Sequence, residues 1–290
     1  MSREAGGDVE TTSGNRAADA AALRAVAEQV VREAAEHLRG LPRPWEAAPG
    51  DGVDTKSTPT DVVTASDHSV EELVRARLAA LRPGEDVVGE EHGGRAGSSI
   101  SWVVDPIDGT VNFLYGLPWY AISLAAVRDG RSVAGAVIEP ESGRLWSAAL
   151  GGGATCDGRA LQVSRQTDVR LSLLGTGFSY RPERRLRQAG MVAGLLGHVR
   201  DVRRTGSAAL DLCAVAAGWT DAYLEHGCNW WDWAAAALIA GEAGAVVRTP
   251  GAPGSAPPSD GLGADALFAA TPGIADELAD LVRTHGAGAV

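Results

Sequence analysis

The chain has 290 residues, 45% hydrophobic and 22% charged, which is enough apolar material for a large buried core and argues against wholesale disorder. Its 26 Lys and Arg against 37 Asp and Glu leave a net charge of -11, which repels nucleic acid unless basic residues cluster; the densest run, Arg181 to Arg187, is diluted by Pro182 and Glu183 and reads as a solvated helix start. Three widely spaced cysteines argue against a disulfide framework or a zinc site, and no stretch is apolar enough for a signal peptide or membrane span, so a cytoplasmic protein engaging neither membrane nor nucleic acid is expected.

Residues 1–15 are polar and aperiodic and are expected to form a disordered tail. From Arg16 onward Leu23, Val26, Ala27, Val30, Val31, Ala34, Ala35 and Leu38 follow helical spacing until Gly40 and Pro42 end the run. A second helix is predicted from about Ser69, where Ser69 and Glu72 form a capping box, to Leu81 before Pro83 and Gly84. Short apolar segments at 86–89, 100–104, 120–127, 132–138 and 145–150 then predict an antiparallel meander, with Asp129-Gly130 as a type I′ hairpin turn.

Beyond it the periods alternate. Strands are predicted near 171–175, 221–225, 245–247 and 267–270, and helices near 183–196, 208–217 and 231–243. A loop rich in Pro, Gly and Ser spans 249–265, and a closing helix spans 274–283. We therefore expect an N-terminal α+β part over 16–165 that carries an antiparallel sheet and the metal-binding motifs, and a C-terminal α/β part over 166–290 that completes the site.

The chemistry concentrates in Trp102 to Phe113. An apolar strand there runs into Asp105-Pro-Ile-Asp-Gly109, two carboxylates three apart at a strand exit. Pro106 restricts Asp105 to extended backbone and presets its own φ, so the chain turns between the acids and both can point at one spot. Gly109 permits close backbone approach, and a helix beginning there would offer free N–H groups to a phosphate. Gly89-Glu90-Glu91 ends an upstream strand, and Asp232 stands at a predicted helix start downstream. Converging carboxylates repel by roughly 4 kcal/mol per pair at about 4 Å and a dielectric near 20, so only cations could keep such a cluster ionised. With oxygen donors and no Cys or His cluster, magnesium is the natural ion. Singly, each piece has a plainer reading: Asp108-Gly109 is a turn signal, and Asp67 and Asp232 are helix caps.

Together, Asp105 to Phe113 and Trp231-Asp232-Trp-Ala-Ala-Ala resemble the two signatures of the lithium-sensitive inositol monophosphatase family. Asp61 to Asp67, Gly89 to Glu91 and Gly206 through Glu225 agree with it in order, so the resemblance runs from Arg16 to about His285. It implies an α+β fold, a layered αβαβα sandwich, usually dimeric, that hydrolyses a small phosphate monoester with two or three magnesium ions. By matching positions Glu90, Asp105 and the Ile107 carbonyl would bind one ion, and Asp105, Asp108 and Asp232 another. Thr110 and Asp67 would orient and deprotonate the attacking water. The Gly109 and Thr110 backbone would hold the phosphate, and Glu225 and Ala208 would line the pocket for the substrate's hydroxyls, with Asp108 beside them. Glu91 would support the ligands from behind, and Lys56 would lie near the phosphate.

Inositol 1-phosphate is the expected substrate; histidinol phosphate, fructose 1,6-bisphosphate and 3′-phosphonucleotides are the alternatives within the family. A binding or regulatory protein that kept the fold is the reading from another class, and loss of a metal ligand would favour it. Departures from the pattern are Ala237, where the second signature commonly has Gly, and Asn229 and Trp230 at the pocket rim. Trp119, Trp230, Trp231 and Trp233 are expected in the core or a dimer contact, and the cysteines as packing or surface residues.

Overall fold

The computed structural model describes residues 7–44, 53–55, 62–256 and 258–290. A long helix, α1 (Gly7–Gly40), is followed by an antiparallel pair, β1 (Val53–Thr55) and β2 (Val62–Thr64), and by α2 (Ala65–Leu81). A seven-stranded sheet comes next, its spatial order the same as its chain order: β3 (Asp86–Gly89), β4 (Ser101–Asp108), β5 (Ala121–Arg128), β6 (Arg131–Ile138), β7 (Leu145–Ala149), β8 (Ala154–Cys156) and β9 (Arg159–Ala160). The short helix α3 (Thr110–Leu114) lies between β4 and β5. The rest of the chain runs β10 (Leu173–Thr176), α4 (Pro182–Leu195), β11 (Asp201–Arg203), α5 (Ala208–Ala216), β12 (Ala222–His226), α6 (Trp230–Glu242), β13 (Val246–Arg248), β14 (Ala266–Ala270) and α7 (Ala275–Thr284). Its strands form a five-stranded mixed sheet in the order β11-β10-β12-β14-β13.

Alternation along the strands sorts the side chains into three apolar layers. Trp102, Val104 and Leu124 face Val30, Val31, Leu38, Val70 and Val74 of α1 and α2. Val103, Ala125 and Val137 point the other way, against α5 and α6, which on their far side meet Tyr223, Leu267 and Ala269 of the second sheet. Leu174, Leu224 and Phe268 face outward onto α4 and α7 through Met191, Leu195 and Leu278. The layers are thus α1/α2, sheet, α5/α6, sheet, α4/α7, and the α+β layered sandwich stands. Among the described residues no helix is long and apolar enough to cross a membrane.

Four local expectations are corrected. Residues 7–15 continue α1 rather than forming part of a tail, because lengthening an existing helix is far cheaper than starting one; residues 1–6 lie outside the described residues. The second helix starts at Ala65, four residues before the expected Ser69, with Thr64 as N-cap and Asp67 closing the capping box. β3 and β4 are parallel, so only the strands from β4 onward make the antiparallel meander. β4 does not stop at Val104 but runs through Pro106 to Asp108. The Asp129-Gly130 turn forms as predicted, with φ of 51° and 73° between β5 and β6. The sheets part between Ala160 and Leu173, yet α5 and α6 fill the layer against both, so the two halves share one core.

Candidate active site

β3 pairs with β4 only as far as Val104, so beyond it a residue without an N–H leaves no bond unmade on that side, and Pro106 fits. On the other side Asp105 pairs with Ser123 and Asp108 with Ala121, three steps on β4 against two on β5. The extra residue is a bulge. Without it, two positions three apart would face opposite sides of the sheet; with it, Asp105 and Asp108 line the same cavity. The Ile107 N–H donates to Asp105 Oδ1 at 3.0 Å and fixes the carboxylate. Gly109 then takes φ 95°, and a Cβ there would stand 3.2 Å from the carbonyl oxygens of Gly206 and Trp119, so the turn needs glycine.

Two helix starts bring further acids, and a third clasps Asp108. Asp67, in the first turn of α2, is fully buried; its Oδ2 accepts from the Thr64 N–H at 2.8 Å and the Thr64 hydroxyl at 2.6 Å. Its Oδ1 faces the Thr110 hydroxyl at 3.4 Å, and that hydroxyl also lies 3.0 Å from the Ile107 carbonyl. Asp108 is clasped by α5: the Ala209 N–H donates to Oδ2 at 2.7 Å, the Ala208 N–H to Oδ1 at 3.3 Å, and the Ser207 hydroxyl to Oδ2. Asp232, in the first turn of α6, accepts from the Asn229 N–H at 2.7 Å.

The cavity measures about 620 Å³. From the first half of the chain Glu90, Asp105, Ile107, Asp108, Gly109 and Thr110 line it; from the second half come Ala208, Glu225 and Asp232. Asp67 stands behind Thr110, and the charge of Glu91 adds to the negative field at Asp67. Lys56 lies outside the described residues. Burial pushes the Asp105 and Asp232 carboxyls well above the ordinary range, and Glu90 and Asp108 push both further. Burial raises Asp108 to about 7 against the pull of its α5 donors, and raises Asp67 to about 7 against the two bonds from Thr64.

Among the described residues no three His, Cys, Asp or Glu side chains already enclose a point where an ion could sit, and Asp105 and Glu90 instead share a hydrogen bond. The donor set nevertheless fits a hard divalent cation. It is all oxygen, with Asp105 and Asp108 buried and Glu90 and Asp232 half-buried, and its members repel one another when charged, so a cation is the group that would let them ionise together.

Several residues near the cavity were missed. Tyr223 donates its hydroxyl to Glu225 Oε2, and Cys228, expected to be a packing or surface residue, lines the cavity and bonds to Glu225. Asp211 and Arg204 share that wall, and Thr205 donates to Asp211. Arg181 to Arg187 do form the solvated start of α4, as expected, but Arg181 and Arg184 also reach the cavity rim; Arg184 holds both oxygens of Asp265, at 2.7 and 2.6 Å. Only the serine before an alanine-rich helix, Ser207, carried a readable signal, that of an N-cap. Trp230 and Trp233 are core, as expected, while Trp119 and Trp231 are partly buried against it.

A sequence model of the inositol monophosphatase family matches residues 19–287. The chain belongs to this family. As an inositol monophosphatase family member it is a phosphoric monoester hydrolase by class, and its relatives point the same way. It is 52% identical over 280 residues to an inositol-1-monophosphatase of Mycobacterium leprae, covering 91% of this chain and 94% of that protein. The solved structure of Mycobacterium tuberculosis SuhB superposes with a TM-score of 0.77 at 44% identity, over 92% of this chain and 98% of that one. A Xylella fastidiosa relative described as Nus factor SuhB is 39% identical over 188 residues, 64% of this chain and 68% of its own length.

Proposed function

We propose that this chain hydrolyses inositol 1-phosphate to inositol and phosphate with two or three magnesium ions. Glu90, Asp105 and the Ile107 carbonyl hold one ion, and Asp105, Asp108 and Asp232 a second. Bound there, the cations supply Lewis acidity to the phosphate and make water a nucleophile at neutral pH. The chain's own groups do the rest. Thr110 Oγ1, set between Asp67 Oδ1 and the Ile107 oxygen, orients the attacking water, and the ionised Asp67 carboxylate takes up the proton through it. The Gly109 and Thr110 backbone amides hold the phosphate.

The observation that carries the substrate is Glu225, a half-buried acceptor on the cavity wall already fixed by Tyr223 and Cys228. A carboxylate there suits the hydroxyls of a polyol. Glu225 and Asp211 side by side also suit an ammonium, which keeps histidinol phosphate as a second reading. The complete set of carboxylates favours an enzyme over a solely regulatory relative.

The test is phosphate release with magnesium across inositol 1-phosphate, histidinol phosphate, fructose 1,6-bisphosphate and adenosine 3′,5′-bisphosphate. Inositol 1-phosphate should be hydrolysed fastest, with lithium inhibiting; a faster rate on any of the others overturns the assignment. Glu225→Gln should raise KM for the polyol substrate about tenfold, the loss of one charged hydrogen bond, and an unchanged KM removes Glu225 from the pocket argument. A homodimer belongs to the same proposal and is checked by light scattering.

A further inference from the structure

Glu71 lies one helical turn after Asp67 on α2, entirely buried, and does not line the cavity. Its partners are two backbone amides of one turn and the side chains of Arg75 and His92, the His92 Nδ1 lying 3.3 Å from Oε1. Oε2 accepts from the Glu91 N–H at 2.7 Å and Oε1 from the His92 N–H at 3.2 Å. Arg75 Nε donates to Oε1 at 2.8 Å, and its other nitrogens reach the carbonyls of Val87 at 3.1 Å and Gly93 at 2.5 Å, fastening the same turn from outside. Gly89 closes against the carboxylate so tightly that a Cβ there would stand 2.1 Å from Glu71 Oε1. The Gly89 N–H completes the turn on the Gly93 carbonyl at 3.0 Å.

The turn from 89 to 93 is therefore wound around a single buried carboxylate, and the residue it presents to the cavity is Glu90. We propose that Glu71 is a positioning residue whose carboxylate templates this turn and aims Glu90 at Asp105. Glu90 needs such a clamp. Without a cation it stays beside Asp105 while a shared proton hydrogen-bonds the two; once that proton leaves, the charges of Asp105 and Asp232 repel it, and on a loose turn it would swing to solvent and have to be recovered on every binding event. A carboxylate is the right group because two N–H donors and a guanidinium converge on it. Glutamine offers one acceptor oxygen and an amide N–H₂ that would face donors. The Arg75 partner also cancels the charge of Glu71, so the clamp adds no net charge beside the cavity.

The inference rests on the reading that Glu90 holds a cation, and the experiment separates the two. Magnesium binding is measured by titration calorimetry on purified wild type, Glu71→Gln and Arg75→Met, alongside KM for inositol 1-phosphate at saturating magnesium. The magnesium dissociation constant should rise about tenfold in Glu71→Gln and severalfold in Arg75→Met, as for other groups that orient metal ligands, while KM stays within about twofold. A folded Glu71→Gln that binds magnesium as wild type does, even if it melts earlier, makes Glu71 a mere anchor of the loop and overturns the proposal. If Glu71→Gln fails to fold, Arg75→Met decides alone, since Arg75 is on the half-exposed surface of α2, and unchanged affinity there overturns it equally. Wild type that takes up no magnesium sinks the cation reading itself, and Glu71's role with it.

Discussion

Asp105 meets the charges of Glu90, Asp108 and Asp232 inside a buried cavity, and the two directions in which its removal acts are opposite. Asp105→Asn takes away a ligand shared by both proposed ions, so activity should fall by more than the roughly hundredfold expected for an outer-shell partner. It also removes a buried carboxyl whose ionisation burial and its neighbours oppose, so the magnesium-free protein at pH 8 should melt higher by at least about 2 °C, roughly 1 kcal/mol at this size. A variant that is active, or that melts lower without metal, removes Asp105 from the repelling cluster. The pH dependence follows from Asp67 and Asp108. Both titrate near 7 when folded and near 4 when unfolded, so their protonated forms stabilise the metal-free fold below about pH 4 and that stability is lost as pH rises toward 7. Cation binding must expel the proton of Asp108 and its charge also favours ionised Asp67, so magnesium should raise the melting temperature more at pH 8 than at pH 5.5. Equal increments at both values would contradict the assigned shifts. The aspartates of the motif and Glu90 were readable because short spacings define them; Glu71 was not, since the backbone amides it holds lie 20 and 21 residues away and only burial shows what it holds.

Among the elements, α5 shows how a helix serves the site without supplying a proposed ligand. Ser207 caps it, accepting from the Leu210 N–H at 3.2 Å, and turns its own proton to Asp108. Ser207→Ala should cost about 1 kcal/mol as a lost cap and also weaken magnesium binding, because Asp108 loses a donor that favours its ionised form. A variant with the lower melting temperature but wild-type magnesium affinity would confine Ser207 to capping. The start of α2 and the length of β4 show where local signals run out. Two overlapping boxes, Thr64 with Asp67 and Ser69 with Glu72, compete for the helix start, and the hydrogen bond from Thr110 to Asp67 favours the earlier one. A proline normally ends a strand, but Pro106 is allowed because β3 has already ended, a fact of pairing that no local window contains. The hairpin at Asp129-Gly130 needed only its two residues, and it was legible.

At the scale of the whole molecule, the site exists because α6 fits between two sheets. The run Ala234 to Ala237 has side chains small enough to be buried in that layer, and Gly135 of β6 comes so close that an added Cβ would stand 2.9 Å from the Cα and 3.0 Å from the Cβ of Ala235. Backbone cannot rotate away as a flexible side chain can. Gly135→Ala should therefore cost about 1–3 kcal/mol and push α6 outward. Asp232 sits in the first turn of α6 and Asp105 on the sheet that carries Gly135, so the same push separates two proposed ligands of one ion. Magnesium affinity should fall although Gly135 does not line the cavity. The complementary Ala235→Gly creates room on the other side, and combining the two should recover part of both losses, with a coupling above about 0.5 kcal/mol in the double-mutant cycle. Additive losses would mean that the spacing of α6 from the sheet does not set the distance between the carboxylates.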